Sequence, residues 1–179
     1  MNHDSYTDDY ITDILESSRT FAFVGASNNN SRPSYFAMKY LLGKGFNVIP
    51  VNPGLVGQEI LGQKVHASLA DIDVPVDVVD IFRNSEAALP ITREAIALKD
   101  KLGLKVVWMQ LTVRNDEAAA EAEAAGLKVV MNRCPKIEYG RLSGEIGWAG
   151  VNPGVISSRR PLLGSGLQNQ RIGTLKRDK

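Results

Sequence analysis

Cysteine is nearly absent from this sequence. Among 179 residues only Cys134 carries a thiol, so no disulfide can form within the chain, and nothing asks for an oxidising compartment. Histidine is equally scarce, and His66 has no Cys, His, Asp or Glu companion at ligand spacing, which removes the usual metal motifs. Long apolar runs are lacking too. Val76 to Phe82 and Leu104 to Met109 have the length of core strands and fall far short of the roughly 20 residues that span a bilayer, so no membrane segment is expected. The N-terminus holds Asp4, Asp8, Asp9 and Asp13 where a secretory signal needs a basic start and an apolar stretch, and the expected location is the cytoplasm.

An excess of either charge is also missing: 21 Lys and Arg stand against 20 Asp and Glu. The imbalance is local. From Ser143 onward Arg159, Arg160, Arg171, Lys176, Arg177 and Lys179 face only Glu145 and Asp178, which leaves the preceding body slightly acidic and without a nucleic-acid footprint. The same stretch is broken every few residues by glycine or proline. It reads as a basic tail, 143–179, behind one domain, 1–142. Apolar residues in it, among them Trp148, Val151, Leu162 and Leu163, suggest that it lies along the body or joins a second copy in a homodimer.

What is present is an alternation of apolar runs and helical periodicity. Asp9 to Ser18 reads as a short amphipathic helix, and Thr20 to Gly25 as a first buried strand. Pro33 suits a first helical position, and Gly43 and Gly45 stop the helix that follows. Asn47 to Val51 is a second strand ended by the turn Asn52-Pro53-Gly54; Pro50 makes one-sided pairing there the expectation. After an excursion over 58–66 and a short helix capped by Ser68, three further strands are expected at 76–82, 104–109 and 127–131. Helices from Ser85 to about Lys101 and from Asp116 to Ala125 separate them. Strands alternating with helices imply an α/β fold: a Rossmann-like, doubly wound parallel sheet of about five strands.

In such a sheet ligands gather beyond the carboxyl ends of the strands, where strand order reverses. The unusual polar residues stand at those ends: Gly25-Ala26-Ser27, Asn52-Pro53, Arg83-Asn84-Ser85, Gln110-Leu111-Thr112 and Asn132-Arg133-Cys134. The loop from Gly25 to Ser34 joins a strand to a helix, so its amides can face a phosphate, and Arg32, Pro33 and Ser34 sit where that helix begins. The dinucleotide fingerprint is incomplete. No G-x-G-x-x-G occurs, and neutral Asn52 stands where NAD enzymes place a carboxylate for the ribose. Asn52 with Arg32, Lys39 and Arg83 suits a nucleotide bearing an additional phosphate, such as NADP or coenzyme A.

Val24-Gly-Ala-Ser27, Arg32-Pro-Ser34, Val48 to Pro53, Gly62 to Leu69, Val76 to Arg83, Val107 to Gln110 and Val130 to Lys136 occur in an order that resembles the stand-alone CoA-binding domain family. That family is similar in fold to the N-terminal domain of succinyl-CoA synthetase α subunits. The resemblance covers about residues 10–140. It implies coenzyme A lying over the strand ends, its pyrophosphate near Gly25 to Ser27, its adenosine near Asn52, Pro53 and Phe82-Arg83, with basic contacts from Arg32 and Lys39. The phosphorylated histidine of the synthetases has no counterpart here.

No catalytic constellation is visible. Asp77 and Asp80 are three apart in a strand and face opposite sides, and Ser27 lacks a triad or a nucleophile elbow. Trp108 reads as core, and Cys134 as a small buried hydrophobe, with a poised thiol able to form a mixed disulfide with CoA as the other reading. The expected function is therefore a binding protein for CoA or acyl-CoA. The alternatives are an enzyme using CoA or NADP with a residue supplied by a partner, and a regulatory protein that has lost the ligand.

Overall fold

Runs that are apolar on both faces become strands buried on both faces. A computed structural model describes residues 1–144; most of the proposed tail, with its suggested dimer contacts, lies outside the described residues. The strands are β1 (Thr20–Val24), β2 (Asn47–Val51), β3 (Glu59–Ile60), β4 (Gln63–Lys64), β5 (Val78–Ile81), β6 (Val106–Met109) and β7 (Lys128–Val130). Five of them form one parallel sheet in the order β2-β1-β5-β6-β7, while β3 and β4 make the small antiparallel ribbon of the excursion.

Helices cover both faces. Residues of α1 (Asp8–Ser17), α2 (Pro33–Gly43) and α6 (Pro135–Leu142) pack with Phe21, Phe23, Val78, Trp108 and Val130. Those of α3 (Ser85–Ala97), α4 (Lys99–Leu102) and α5 (Asp116–Ala124) pack with Ala22, Val79, Ile81, Val107 and Met109. Successive strand residues alternate between the two cores, as the pleat requires. The fold is thus the doubly wound, Rossmann-like α/β sheet expected. Its strand order reverses between β1 and β5, because the chain leaves β1 for one edge and later returns to build toward the other.

The boundaries carry local reasons. Thr7 caps α1 by accepting from the Tyr10 amide at 3.2 Å, one residue earlier than the periodicity predicts. Asn84 caps α3, its Oδ1 accepting from the Ala87 amide at 3.1 Å. The single helix expected to Lys101 is divided at Leu98, and α4 ends on Gly103 in the left-handed region. Helix α6 is an addition to the expected elements: Pro135 occupies its first turn, and it buries Tyr139 and Leu142.

Both edges of the sheet are partly occupied by other groups of the chain. At β2, the His66 amide donates to the Pro50 carbonyl at 2.9 Å, and the His66 carbonyl accepts from Asn52; Pro50 does sit in an edge strand. At β7, the Tyr10 hydroxyl donates to the Val129 carbonyl at 3.1 Å and accepts from the Val129 amide at 3.2 Å, while the Tyr6 hydroxyl accepts from the Met131 amide at 2.7 Å. Two phenols thereby occupy backbone groups that an added strand would need. At the amino ends of the strands, Asp77 accepts from the Arg19 and Thr20 amides and from Lys105 Nζ. Burial raises its pKa, but those bonds outweigh it and hold the carboxyl below its ordinary value.

Candidate functional site

The reversal of strand order leaves a crevice at the carboxyl ends of β1, β5 and β6. It is a cavity of about 740 Å³. Gly25 forms its floor with φ +89°, its amide bonded to the Val51 carbonyl at 2.9 Å. A Cβ here would lie 2.6 Å from the Phe82 carbonyl oxygen and 2.8 Å from Arg83 Cδ. Only glycine lets the ends of β1 and β5 approach so closely.

Beyond Gly25 the loop is held by its own polar residues. The Ser27 amide donates to Ser34 Oγ at 3.1 Å, the Asn29 amide to Ser27 Oγ at 3.2 Å, and the Arg32 amide to the Asn29 carbonyl at 3.0 Å. This leads into α2, which begins on Pro33 with no side-chain cap. Helix α6 also begins on proline, and Cys134, Lys136 and Ile137 at its start line the same cavity. Two helix N-termini therefore border one crevice, an arrangement that favours anions.

The charges agree. Arg32, Arg83 and Lys136 line the cavity, and no carboxylate does. Among the described residues the guanidinium groups of Arg32 and Arg83 make no hydrogen bond or ion pair, whereas Arg93, Arg114 and Arg141 are each bonded to acids.

Below the rim lies a buried polar group. Gln110, 6% exposed, donates through Nε2 to both oxygens of Asp80 at 3.1 and 2.9 Å, and Asp80 has no exposure. Burial raises the Asp80 carboxyl well above its ordinary range, against the weaker pull of the Gln110 amide. Burial likewise pushes the Cys134 thiol up, and the amides of Ile137 and Lys136 only partly offset it. A raised thiol pKa in a buried wall fits the hydrophobe of the first reading. Trp108 is core, its Nε1 donating to the Arg133 carbonyl at 2.8 Å.

The structure brings Gly25, Ser27, Arg32, Pro33 and Ser34 together with Phe82, Arg83, Gln110 and Cys134. It does not bring all the expected residues there. Ala26 is buried beneath the loop, and its carbonyl accepts from Asn52 Nδ2 at 2.7 Å. The Asn52 Oδ1 accepts from the Gly54 amide, so that side chain ties two strand-end loops together. Asn52, Pro53 and Lys39 are absent from the lining, and Lys39 stands on the exposed side of α2. Leu111 and Thr112, expected only as part of the fourth strand end, and Lys136, expected beside Cys134, also line the cavity, as do the unanticipated Phe36, Ala37, Val113 and Ile137. Thr112 is the unusual one, a β-branched residue at φ +68° whose amide donates to Asn132 Oδ1 at 2.8 Å. Such backbone costs about 1–3 kcal/mol and persists only where the surroundings over-determine it. Position after strand β6 is the available signal for the segment 111–113; for α6 it is the proline that follows Cys134.

Residues 19–140 match the model of a family described as the CoA binding domain. The chain belongs to the CoA-binding domain family. The match fits the resemblance read from the sequence. The chain is similar to the uncharacterized protein YneT of Bacillus subtilis, with 34% identity over 129 residues, covering 72% of this chain and 91% of YneT. Among solved structures, a hypothetical protein from Pyrococcus horikoshii OT3 is 40% identical with a TM-score of 0.71, covering 79% of this chain and 96% of that one. A Thermus thermophilus protein is 34% identical with a TM-score of 0.70, covering 76% and 98%. These relatives are matched over nearly their whole lengths. Among the described residues no helix is long and apolar enough to cross a membrane.

Proposed function

We propose that this member of the family binds coenzyme A in the β1/β5 crevice and holds it without carrying out a reaction of its own, as a cytoplasmic carrier or sensor. The observation that carries the reading is the set of cavity cations: Arg32 and Arg83 flank the switch point unpartnered among the described residues, with no acid in the lining. Pyrophosphate suits the loop Gly25 to Ser34 and the start of α2, and Arg83 is left for the 3′-phosphate. No lining residue is a histidine or a carboxylate, and the one thiol is held protonated by burial, which supports binding over catalysis.

Each charge-assisted bond contributes roughly 1.5–3 kcal/mol. CoA is expected to raise the melting temperature more than dephospho-CoA, and both more than NAD; a ligand at 100 times its Kd adds about 2.7 kcal/mol. Arg83→Ala narrows the gap between CoA and dephospho-CoA if that guanidinium holds the 3′-phosphate, and weakens both equally if it holds the pyrophosphate. Calorimetry showing no CoA binding at millimolar ligand, or tighter binding of NAD, sinks the reading. Turnover of acyl-CoA by the purified protein would instead favour the enzyme.

A further inference from the structure

We propose that the ligand this crevice selects is an acyl thioester of coenzyme A, with the acyl chain lying on an apolar lip formed by Phe36, Leu111 and Ile137. The inference deepens the coenzyme A reading and rests on it. Among the described residues few large apolar side chains are exposed, and three of them line this one cavity: Phe36 at 50%, Leu111 at 47% and Ile137 at 42%. Single exposed apolar residues are ordinary on a protein surface. Convergence on one rim is different, because these three come from the first turn of α2, the β6–α5 loop and the first turn of α6. A rim assembled from distant segments is a place where something apolar is covered.

Its position relative to the charges identifies the occupant. Arg32 and Arg83 follow β1 and β5, at the switch point, while Leu111 follows β6 and Ile137 follows β7, progressively farther along the sheet. Lys136 beside Ile137 leans toward the Tyr40 ring, its Nζ 5.9 Å from the centroid. A molecule anchored by phosphates at β1/β5 thus has its other end over β6 and β7, against Leu111 and Ile137. In coenzyme A that other end is the thiol, and a bare thiol would leave the lip in water. A chain on the sulfur covers it. The occupant is therefore anionic at one end and aliphatic at the other, which is the chemistry of an acyl-CoA.

Titration calorimetry on the full chain with CoA, octanoyl-CoA and octanoate tests this. Octanoyl-CoA is expected to bind at least about tenfold more tightly than CoA, about 1.4 kcal/mol, and octanoate alone only weakly. The double variant Leu111→Ser/Ile137→Ser should bring the octanoyl-CoA to CoA ratio toward one, while Leu111→Met keeps it, with thermal melts confirming that both variants are folded. Equal affinity for CoA and octanoyl-CoA in the native chain, or an advantage that survives the double variant, overturns the proposal and leaves the coenzyme A reading standing. Binding of neither nucleotide overturns both. If sedimentation shows a dimer that the double variant dissociates, and octanoyl-CoA has no advantage, the lip is an interface between copies and the proposal fails.

Discussion

Asp80 is a carboxyl without exposure whose recorded hydrogen-bond partner is the neutral amide of Gln110. Burial raises its pKa in the fold, whereas in the unfolded chain it ionises near the usual value of about 4. The fold therefore holds a proton that the unfolded chain releases. Its stability is fullest below the unfolded pKa and declines as pH rises toward the folded one. An asparagine side chain at this position presents the same shape as the protonated acid and can still accept from Gln110. Asp80→Asn is accordingly expected to melt about 2–4 °C above the native chain at pH 8, on the order of 1 kcal/mol at this size, with the difference closing near pH 4. Thermal melts across that range check it, and equal destabilisation at both ends would refute the account. The acid sits behind Gln110, which lines the crevice, and orients its amide from below.

At the scale of elements, β7 shows how an edge is partly occupied by side chains rather than by another strand. Tyr6 and Tyr10 stack with ring centroids 5.8 Å apart and place their hydroxyls on Met131 and Val129. Burial raises both phenols above their ordinary pKa, so they remain protonated at neutral pH. Tyr6→Phe with Tyr10→Phe removes only those hydroxyls and should cost about 1 kcal/mol for each backbone partner left unpaired. Faster hydrogen exchange at the Val129 and Met131 amides would register it, and unchanged exchange would show that the hydroxyls are dispensable. This edge is only partly legible in the sequence. The α1 periodicity gives Tyr10 a place on a helix, but no local pattern says that a phenol meets a strand 119 residues away. The strands themselves are readable because two-sided burial leaves continuous apolar runs. Asn52 misleads for the opposite reason: a polar residue at a strand end looks the same whether it bonds a ligand or, as here, the Ala26 carbonyl. Helix α6 escapes a reading by pattern because its eight residues carry little periodicity.

For the whole molecule, the described residues 1–144 hold two cores and the crevice. A chain ending at Gly144 is expected to unfold cooperatively and to bind CoA with nearly the native affinity, even if a dimer dissociates. Loss of a cooperative transition in that truncation would move the domain boundary into the segment beyond Gly144. The close approach at Gly25 bears on how ligands come and go. With the ends of β1 and β5 in contact through a glycine that admits no Cβ, and the loop above braced by Ser27, Asn29 and Ser34, the proposed phosphate cradle is held by the chain's own bonds. Association then waits on diffusion and orientation instead of on a rearrangement, and related ligands should differ mainly in residence time.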